Sequence, residues 1–446
     1  MNNKRGEIMD YRNIKNAKDL ADKLFNGNGT IIEFNTIRSY AGVLLNRDDM
    51  GEAKEFCRNQ PRTVISSQCI KAAIRNACIR ARSNRTRRAP EAVMAYLKTE
   101  YGIDDPEQID SYMKVLFMLF TSGKDIKAVK KEDCKNYLIS TPLTLCDNDI
   151  HVIGDAVVRA FPADEEIKID RVEDNNGKVS YKFNSGNPDR DKFMALLNEL
   201  NEIIRASMVE YDIALFGRMS TSTVVSSTEN ASWFNHSYST NKKHNDQDYF
   251  IAQDVYLSAS LFKELDEAKG AAHLNSRDIN ADTFYGYSGF SLNKYVQNIM
   301  IGVDFNDEAA VKQRLKEGFE YLLDVIEKTI VTVPATMQHQ MASFPLPVVY
   351  VSLKEGAVNL TYDNAFERVV PDGGDDGSSV LEESVRRMVE AINDNPFETG
   401  TVLKQYWISE KRFADMADIN GVNKCKLKEM ISDLRGYLYE KAGIEL

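Results

Sequence analysis

RTVISSQCIKAAIRNACIRARSNRTRR, residues Arg62 to Arg88, is the stretch around which the chain is organised. From Arg58 to Arg88 there are nine Lys and Arg residues and no acid, so about −20 is left on the rest of a chain whose formal net charge is −11. Charge segregated in this way marks a binding surface. Thr63-Val64-Ile65 is a β-branched run, Ser66 is a good helix N-cap, and Ser67 to Arg82 repeats with helical period. Ile70, Ala73, Ile74, Ala77 and Ala81 share the face expected to be buried. Lys71, Arg75 and Arg82 line up beside it, with Gln68 at the helix start. Free backbone N–H groups, the Ser66 and Ser67 hydroxyls, an amide and a row of cations together suit consecutive phosphates. The plainer alternative is a solvated basic helix face.

At 446 residues and 43% hydrophobic, the chain is expected to bury a large core as one elaborated domain or two to three lobes. A pI near 5.2 excludes a protein that coats nucleic acid with its whole surface, and leaves room for a local groove. The six cysteines form no C-x-x-C pair and the five histidines are scattered without ligand spacing. Free thiols in a reducing cytoplasm, no metal and no cofactor are therefore expected. MNNKRGEIMDY lacks the apolar core of a signal peptide and no run reaches membrane length, so no membrane partner is expected.

Residues 12 to 25 read as an amphipathic leader helix, stopped by Asn26-Gly27-Asn28-Gly29, and Thr30 to Ile37 as the first strand. Roughly 90 to 205 is a helical lobe inserted into the fold, decorated by a hairpin over Ile167 to Phe183 with an Asn176-Gly177 turn. Asp212 to Phe216 reads as a strand, followed by Gly217-Arg218-Met219. Ser220 to Asp248 is a polar excursion holding Trp233, Phe234, Tyr238 and Lys242-Lys243, either a loop or an arm pressed against a partner. Strands follow at Gly270 to Leu274, Thr283 to Tyr287 and Val348 to Leu353, with an amphipathic helix over Val311 to Ile326. An acidic linker at Asp372 to Gly377 leads to helices over Val380 to Ile392 and Asn423 to Ala442. The order of strands and helices predicts an α+β fold with a ferredoxin-like sheet, the framework of RNA-recognition domains.

Several blocks of the chain resemble the CasC family, known in words as Cas-seven, the backbone subunit of the type I-E CRISPR Cascade complex. They are LNRDDMGEAK at Leu45 to Lys54, RTVISSQCIKAAIR at Arg62 to Arg75, DIALFGRMSTS at Asp212 to Ser222, GAAHLNSRDINADTFYGY at Gly270 to Tyr287, and Val333 to Phe366 with its YDNAFE run. The resemblance covers about residues 30 to 395. It implies a hand-shaped subunit: a palm built on a modified RNA-recognition sheet, helical fingers and a thumb β-hairpin. Copies of it stack into a helical filament along one guide RNA, beside other Cascade subunits, and present the bases to a target DNA strand in antiviral defence. By the same resemblance Arg47, Lys54, Ser66, Ser67, Gln68, Lys71 and Arg75 hold the guide backbone. Met219 lies near a displaced nucleotide, and the thumb around His236 to Asn241, with Thr240 and Lys242, folds over the guide and kinks it at every sixth base. The family's basic residues after a VP dipeptide are replaced here by Met337-Gln338-His339-Gln340.

The resulting division is a leader at 1–29, a first palm half at 30–89, fingers at 90–205, a palm strand at 206–219 and the thumb at 220–248. A second palm half at 249–370 and an acidic linker with C-terminal helices at 371–446 complete it. The expected role is non-catalytic. Two alternatives stay open: a metal-dependent ribonuclease using Asp48 and Asp49, and a freestanding single-strand-binding protein that stacks bases on Trp233, Phe234 and Tyr238. Adjacent aspartates in extended chain point to opposite sides, which favours turn-capping and pairing with Arg47 or Arg62 over metal binding.

Overall fold

The computed structural model describes residues 9, 11, 14–27, 29–78, 83–121, 129–130, 136–173, 175, 178–183, 186–220, 222, 224–244, 246–253, 271–334, 336, 338–373, 377–397 and 400–445. After helix α1 (Ala17–Phe25), capped by Asn16, comes the central strand β1 (Thr30–Ser39). It is buried almost throughout, as the Ile-Ile-Glu-Phe run requires of a strand covered on both faces. A short hairpin, β2 (Glu55–Arg58) and β3 (Gln60–Ile65), turns at Asn59, which takes a positive φ of 61°. Helix α2 (Ser67–Ala77) starts directly after β3.

The helical lobe follows: β4 (Asn84–Thr86), α3 (Ala89–Tyr101), α4 (Pro106–Thr121), β5 (Val129–Lys130), β6 (Leu143–Leu145), α5 (Asp147–Ala160), β7 (Asp170–Glu173), β8 (Lys178–Lys182) and α6 (Pro188–Ala206). It has its own core, in which Val93, Leu97, Leu116, Leu119, Ile153 and Leu200 are all buried. β7 and β8 pair antiparallel, as the hairpin reading expects. Its Asn176-Gly177 turn lies outside the described residues.

Asp212 to Phe216, expected as a strand, is helix α7 (Tyr211–Phe216). The reason is tertiary: Ile213, Ala214 and Leu215 all have to enter the main core at once, which a one-sided strand cannot do and a single helical turn can. The chain then adds two three-residue strands, β9 (Ser232–Phe234) and β10 (Ser237–Ser239), both paired with β13 (Thr283–Ser291). The span 220–248 is therefore no free hairpin. Ala231, Ser232, Ser239 and Thr240 are fully buried in it, and Val224 and Val225 plug the lobe's core. The free two-stranded arm is instead β11 (Asp246–Gln253) with β12 (Ala271–Ile279), which pair antiparallel with each other.

After β13 come α8 (Leu292–Ile299) and the long α9 (Glu308–Val331), then β14 (Val348–Glu355), which pairs with β1. The main sheet runs β14-β1-β13-β10-β3-β2, with β1 and β13 central and antiparallel, the order of a split β-α-β fold. The α+β class is thus the observed one. The region after 371, expected as linker and helices alone, extends this sheet. Beyond α10 (Val380–Asn393), β15 (Thr401–Ile408) pairs antiparallel with β14, and β16 (Asn423–Lys424) pairs parallel with β15. The helical tail is α11 (Leu427–Ala442), and it begins four residues later than expected.

Both faces of the sheet are covered. Ile32, Phe34, Phe290, Val349 and Val351 pack under α1, α8, α9 and α11. The opposite side chains of the same strands, Ile37, Tyr285, Tyr287 and Tyr350, pack under α10 and Phe366. On that second face Glu33 is buried and held by the Lys354 ammonium at 2.7 Å, the Tyr287 hydroxyl at 2.8 Å and the Leu360 N–H at 3.0 Å. A sheet so covered has no open face on which bases can stack, unlike an RNA-recognition domain.

Candidate nucleic-acid interface

Three loops converge on the N-terminus of α2. Ser66 is its N-cap, and its Oγ accepts from the Cys69 N–H at 3.3 Å. Asn46 Oδ1 accepts from the Ser66 N–H at 2.8 Å, and the Lys54 N–H donates to Asn46 O at 2.9 Å, so the 45–54 loop is pinned to the cap. His236, between β9 and β10, accepts the Ser67 N–H on Nδ1 at 2.9 Å. Its Nε2 then carries the proton and faces outward as a donor. Arg47, Lys54, Gln68 and His236 are exposed on this rim, whereas Lys242 is exposed at the other end of β3, where the neighbouring Lys243 N–H donates to Pro61 O at 2.9 Å. Ser66 is buried and its hydroxyl is taken by the cap, so what it contributes is helix geometry.

Asp48 Oδ1 accepts the N–H groups of Met50 and Glu52, both at 2.9 Å, and Gly51 closes the turn with a φ of 89°. The carboxylate is thereby occupied in shaping the loop. Arg62 does not pair with it. Arg62 is fully buried and donates to the carbonyls of Ser239, Thr240, Phe366 and Glu367.

Lys71 lies one turn along α2, with its ammonium 5.3 Å from the centre of the Phe234 ring. Burial holds it below the ordinary lysine value of 10.5. Among the described residues no carboxylate pairs with it, so it is a partly desolvated cation with only a ring for company. Arg75 is different. Its guanidinium binds the buried Asp212 at 2.7 Å and Ser83 Oγ at 2.9 Å, and lies 5.7 Å from the Phe216 ring. Through one guanidinium nitrogen it ties α2 to α7, and its side chain stays 26% exposed. The helix ends at Ala77, with Cys78 extended, and Arg82 lies outside the described residues.

Met219 is 86% exposed on a rigid stem. Gly217 has a φ of 77°, and a Cβ there would meet Asn230 at 2.8 Å, so only glycine fits. Arg218 is buried against Asp149, and its backbone exchanges hydrogen bonds with Thr228 at 2.9 and 2.8 Å. Thr240, expected at the interface, is in the core, where its hydroxyl meets Thr283 O at 3.1 Å and Ser384 Oγ at 2.8 Å. Lys243 is also internal and pairs with Glu55 at 2.9 Å. Met337 lies outside the described residues, while Gln338 is buried and accepts the Ser343 N–H at 2.8 Å.

Sequence reasoning missed Asn46, which clamps the cap, and the groove of about 500 Å³ between β2 and the His236 turn, lined among others by Phe56, Arg58, Tyr238 and Asp363. Arg58 was visible as charge. Asp363 lies in the YDNAFE run, but its place in the groove could not be read there, because its partner Tyr238 is more than a hundred residues away. Among the described residues no helix is long and apolar enough to cross a membrane.

Comparison with known proteins places this architecture. No curated protein matches the chain. Among the solved structures that share its fold are two of CRISPR complexes. One, titled "CRISPR RNA-guided surveillance complex, pre-nicking", has a TM-score of 0.65 at 20% identity over 92% of this chain and 100% of that one. The other, titled "CRISPR RNA-guided surveillance complex", has a TM-score of 0.55 at 18% identity over 91% and 99%. The family model described as CT1975-like protein matches residues 32–433, from the central strand β1 into the last helix, and this chain therefore belongs to the CT1975-like family, with a fold of the Cas-seven type.

Proposed function

We propose that this chain is a backbone subunit of an RNA-guided CRISPR surveillance complex and holds the guide RNA by its phosphates. The observation that carries the reading is Lys71: a cation partly stripped of water, without an acid partner among the described residues, one turn from a helix N-terminus. Burying such a charge costs free energy that an anion would return. A phosphate beside it also meets the exposed Gln68 amide and the exposed His236, with Arg47 and Lys54 along the rim and Lys242 further along β3 for the next stretch of backbone. Ser66 and Ser67 shape the helix start, and Arg75 holds the helix in place. Met219 on its fixed stem is the apolar wedge beside a displaced nucleotide.

The thumb role passes to the arm of β11 and β12, the two-stranded ladder outside the main sheet. Copies stack in a helical filament of the type I-E kind, with the other Cascade subunits at its ends. The bases stay free to pair with a target DNA strand, in the cytoplasm, as antiviral defence. The subunit holds RNA and does not cut it, a reading supported by the engagement of Asp48 in its turn.

Co-expression with a guide RNA tests this. The subunit is expected to elute with the RNA in fixed stoichiometry, and its affinity to fall with salt by about 0.7 in log-log slope per phosphate held. Elution free of nucleic acid, with salt-independent binding, would overturn the proposal. EDTA is expected to leave the guide intact. Metal-dependent cleavage that disappears in Asp48→Ala would establish the ribonuclease reading in its place.

A further inference from the structure

The groove between β2 and the His236 turn is not explained by phosphate binding. It is lined by the cations Lys54 and Arg58 and by two acids, Glu55, which Lys243 pairs at 2.9 Å, and Asp363. Among the described residues no Lys or Arg pairs with Asp363, although it stands beside the most basic part of the chain. Its carboxylate accepts from the Tyr238 hydroxyl at 2.8 Å, the Thr361 hydroxyl at 2.5 Å and the Asn235 amide at 3.4 Å. A carboxylate offers about four acceptor positions, so one is left for a ligand.

The groove also offers two aromatic side chains. Phe56 is 50% exposed on the edge strand β2, with its ring on the groove. Tyr238 is held by its hydroxyl on Asp363 and by an edge contact with Tyr285 at 6.2 Å. An exposed ring, a hydrogen-bonded tyrosine, the remaining acceptor position on Asp363 and two cations suit a nucleoside with its 5′ and 3′ phosphates. The volume of about 500 Å³ admits a base with its ribose.

We infer that this groove is a subsite for one unstacked nucleobase bearing an exocyclic amine, stacked on Phe56 and read by Asp363. The inference rests on the RNA-binding proposal above and adds to it a base preference at the position that enters the groove. Cytosine, adenine and guanine each present an amine donor to the carboxylate. Uracil presents carbonyl oxygens on both sides of its single N–H, and these repel the carboxylate.

The test compares labelled oligo(C) and oligo(U), two pyrimidine strands of equal length, by fluorescence anisotropy with the full chain. Oligo(C) is expected to bind tighter. Phe56→Ala should weaken both strands by about tenfold, the scale of losing one base stack, with the salt slope unchanged. Asp363→Asn, whose amide oxygen still accepts from Tyr238, should erase the C-over-U preference while oligo(U) binding holds or improves. An unchanged C-to-U ratio in Asp363→Asn overturns the inference, as does undiminished affinity in Phe56→Ala, whose exposed side chain the fold does not need. If the wild-type chain binds neither strand, the RNA-binding proposal falls and the subsite falls with it. If it binds both with a normal salt slope and neither variant responds, only the subsite falls.

Discussion

Lys71 and Arg75 sit on the same helix, four residues apart, and were indistinguishable as charges. Their surroundings separate them. Lys71→Ala is expected to weaken guide binding equally across sequences and to reduce the salt slope by about 0.7, measured by titration at several salt concentrations. Because burial depresses its pKa, its contribution to RNA binding is present at neutral pH and fades as pH rises toward 10.5, earlier than for an exposed lysine. The stability linkage has the opposite sign. The unfolded chain keeps this proton to higher pH, so folding gains from Lys71 as pH climbs through that window. Lys71→Arg should flatten the binding profile. Arg75→Ala should instead act on the fold, because it strands the buried Asp212 carboxylate. A loss of about 3 kcal/mol in denaturant unfolding is expected. An Arg75→Ala protein of unchanged stability that had lost RNA affinity would return Arg75 to the interface.

At the scale of elements, the arm and the 220–248 span make opposite predictions. Replacing residues 250–275 with a short Gly-Ser turn removes only the outer part of β11 and β12, which pair with each other outside the main sheet. The remaining chain should stay folded and keep salt-sensitive RNA binding. The six-nucleotide rhythm in a nuclease footprint of the assembled guide should vanish, and a surviving rhythm would show that the arm is not the thumb. The same cut at 220–248 is expected to give no soluble protein, since it deletes β9 and β10 from the sheet and with them the carbonyls of Ser239 and Thr240 that satisfy Arg62. Circular dichroism of the two deletions, side by side, distinguishes these outcomes.

For the whole molecule, the C-terminal region is part of the framework. Trp407 is 1% exposed, and Met430, Leu434 and Leu438 are fully buried under α9. Arg435 binds Glu320 through two nitrogens at 2.7 and 3.0 Å, and the Tyr11 hydroxyl donates to Ala442 O, so Tyr11 and the last helix close on the same core. Truncation after Asn395 is expected to expose the β14 edge and several large apolar side chains together, and to send the protein into inclusion bodies. Soluble yield is the measurement. A truncated chain that stayed soluble and cooperative in thermal unfolding would make residues 400–446 an accessory.

How much was legible follows from the range of the forces involved. Helix period, capping and β-branching act within a few residues, so β1, α2, β13, α9, β14 and α10 could be read locally, together with the charge segregation around Lys71. The order of those elements was enough for the α+β sheet. The sequence also placed a cationic helix start directly after a strand, which is half of the candidate site. The other half is long-range. Whether Asp212 to Phe216 forms a strand or a helical turn depended on how many of its side chains the core had to take. Whether Arg62 and Thr240 were buried, and whether Arg75 was ion-paired, depended on partners more than a hundred residues away, Ser239, Ser384 and Asp212. Identical residue types carry no mark of burial until such partners arrive, so charge and the helix start were determined by the sequence, whereas which cations are free and where the groove opens were decided by tertiary packing.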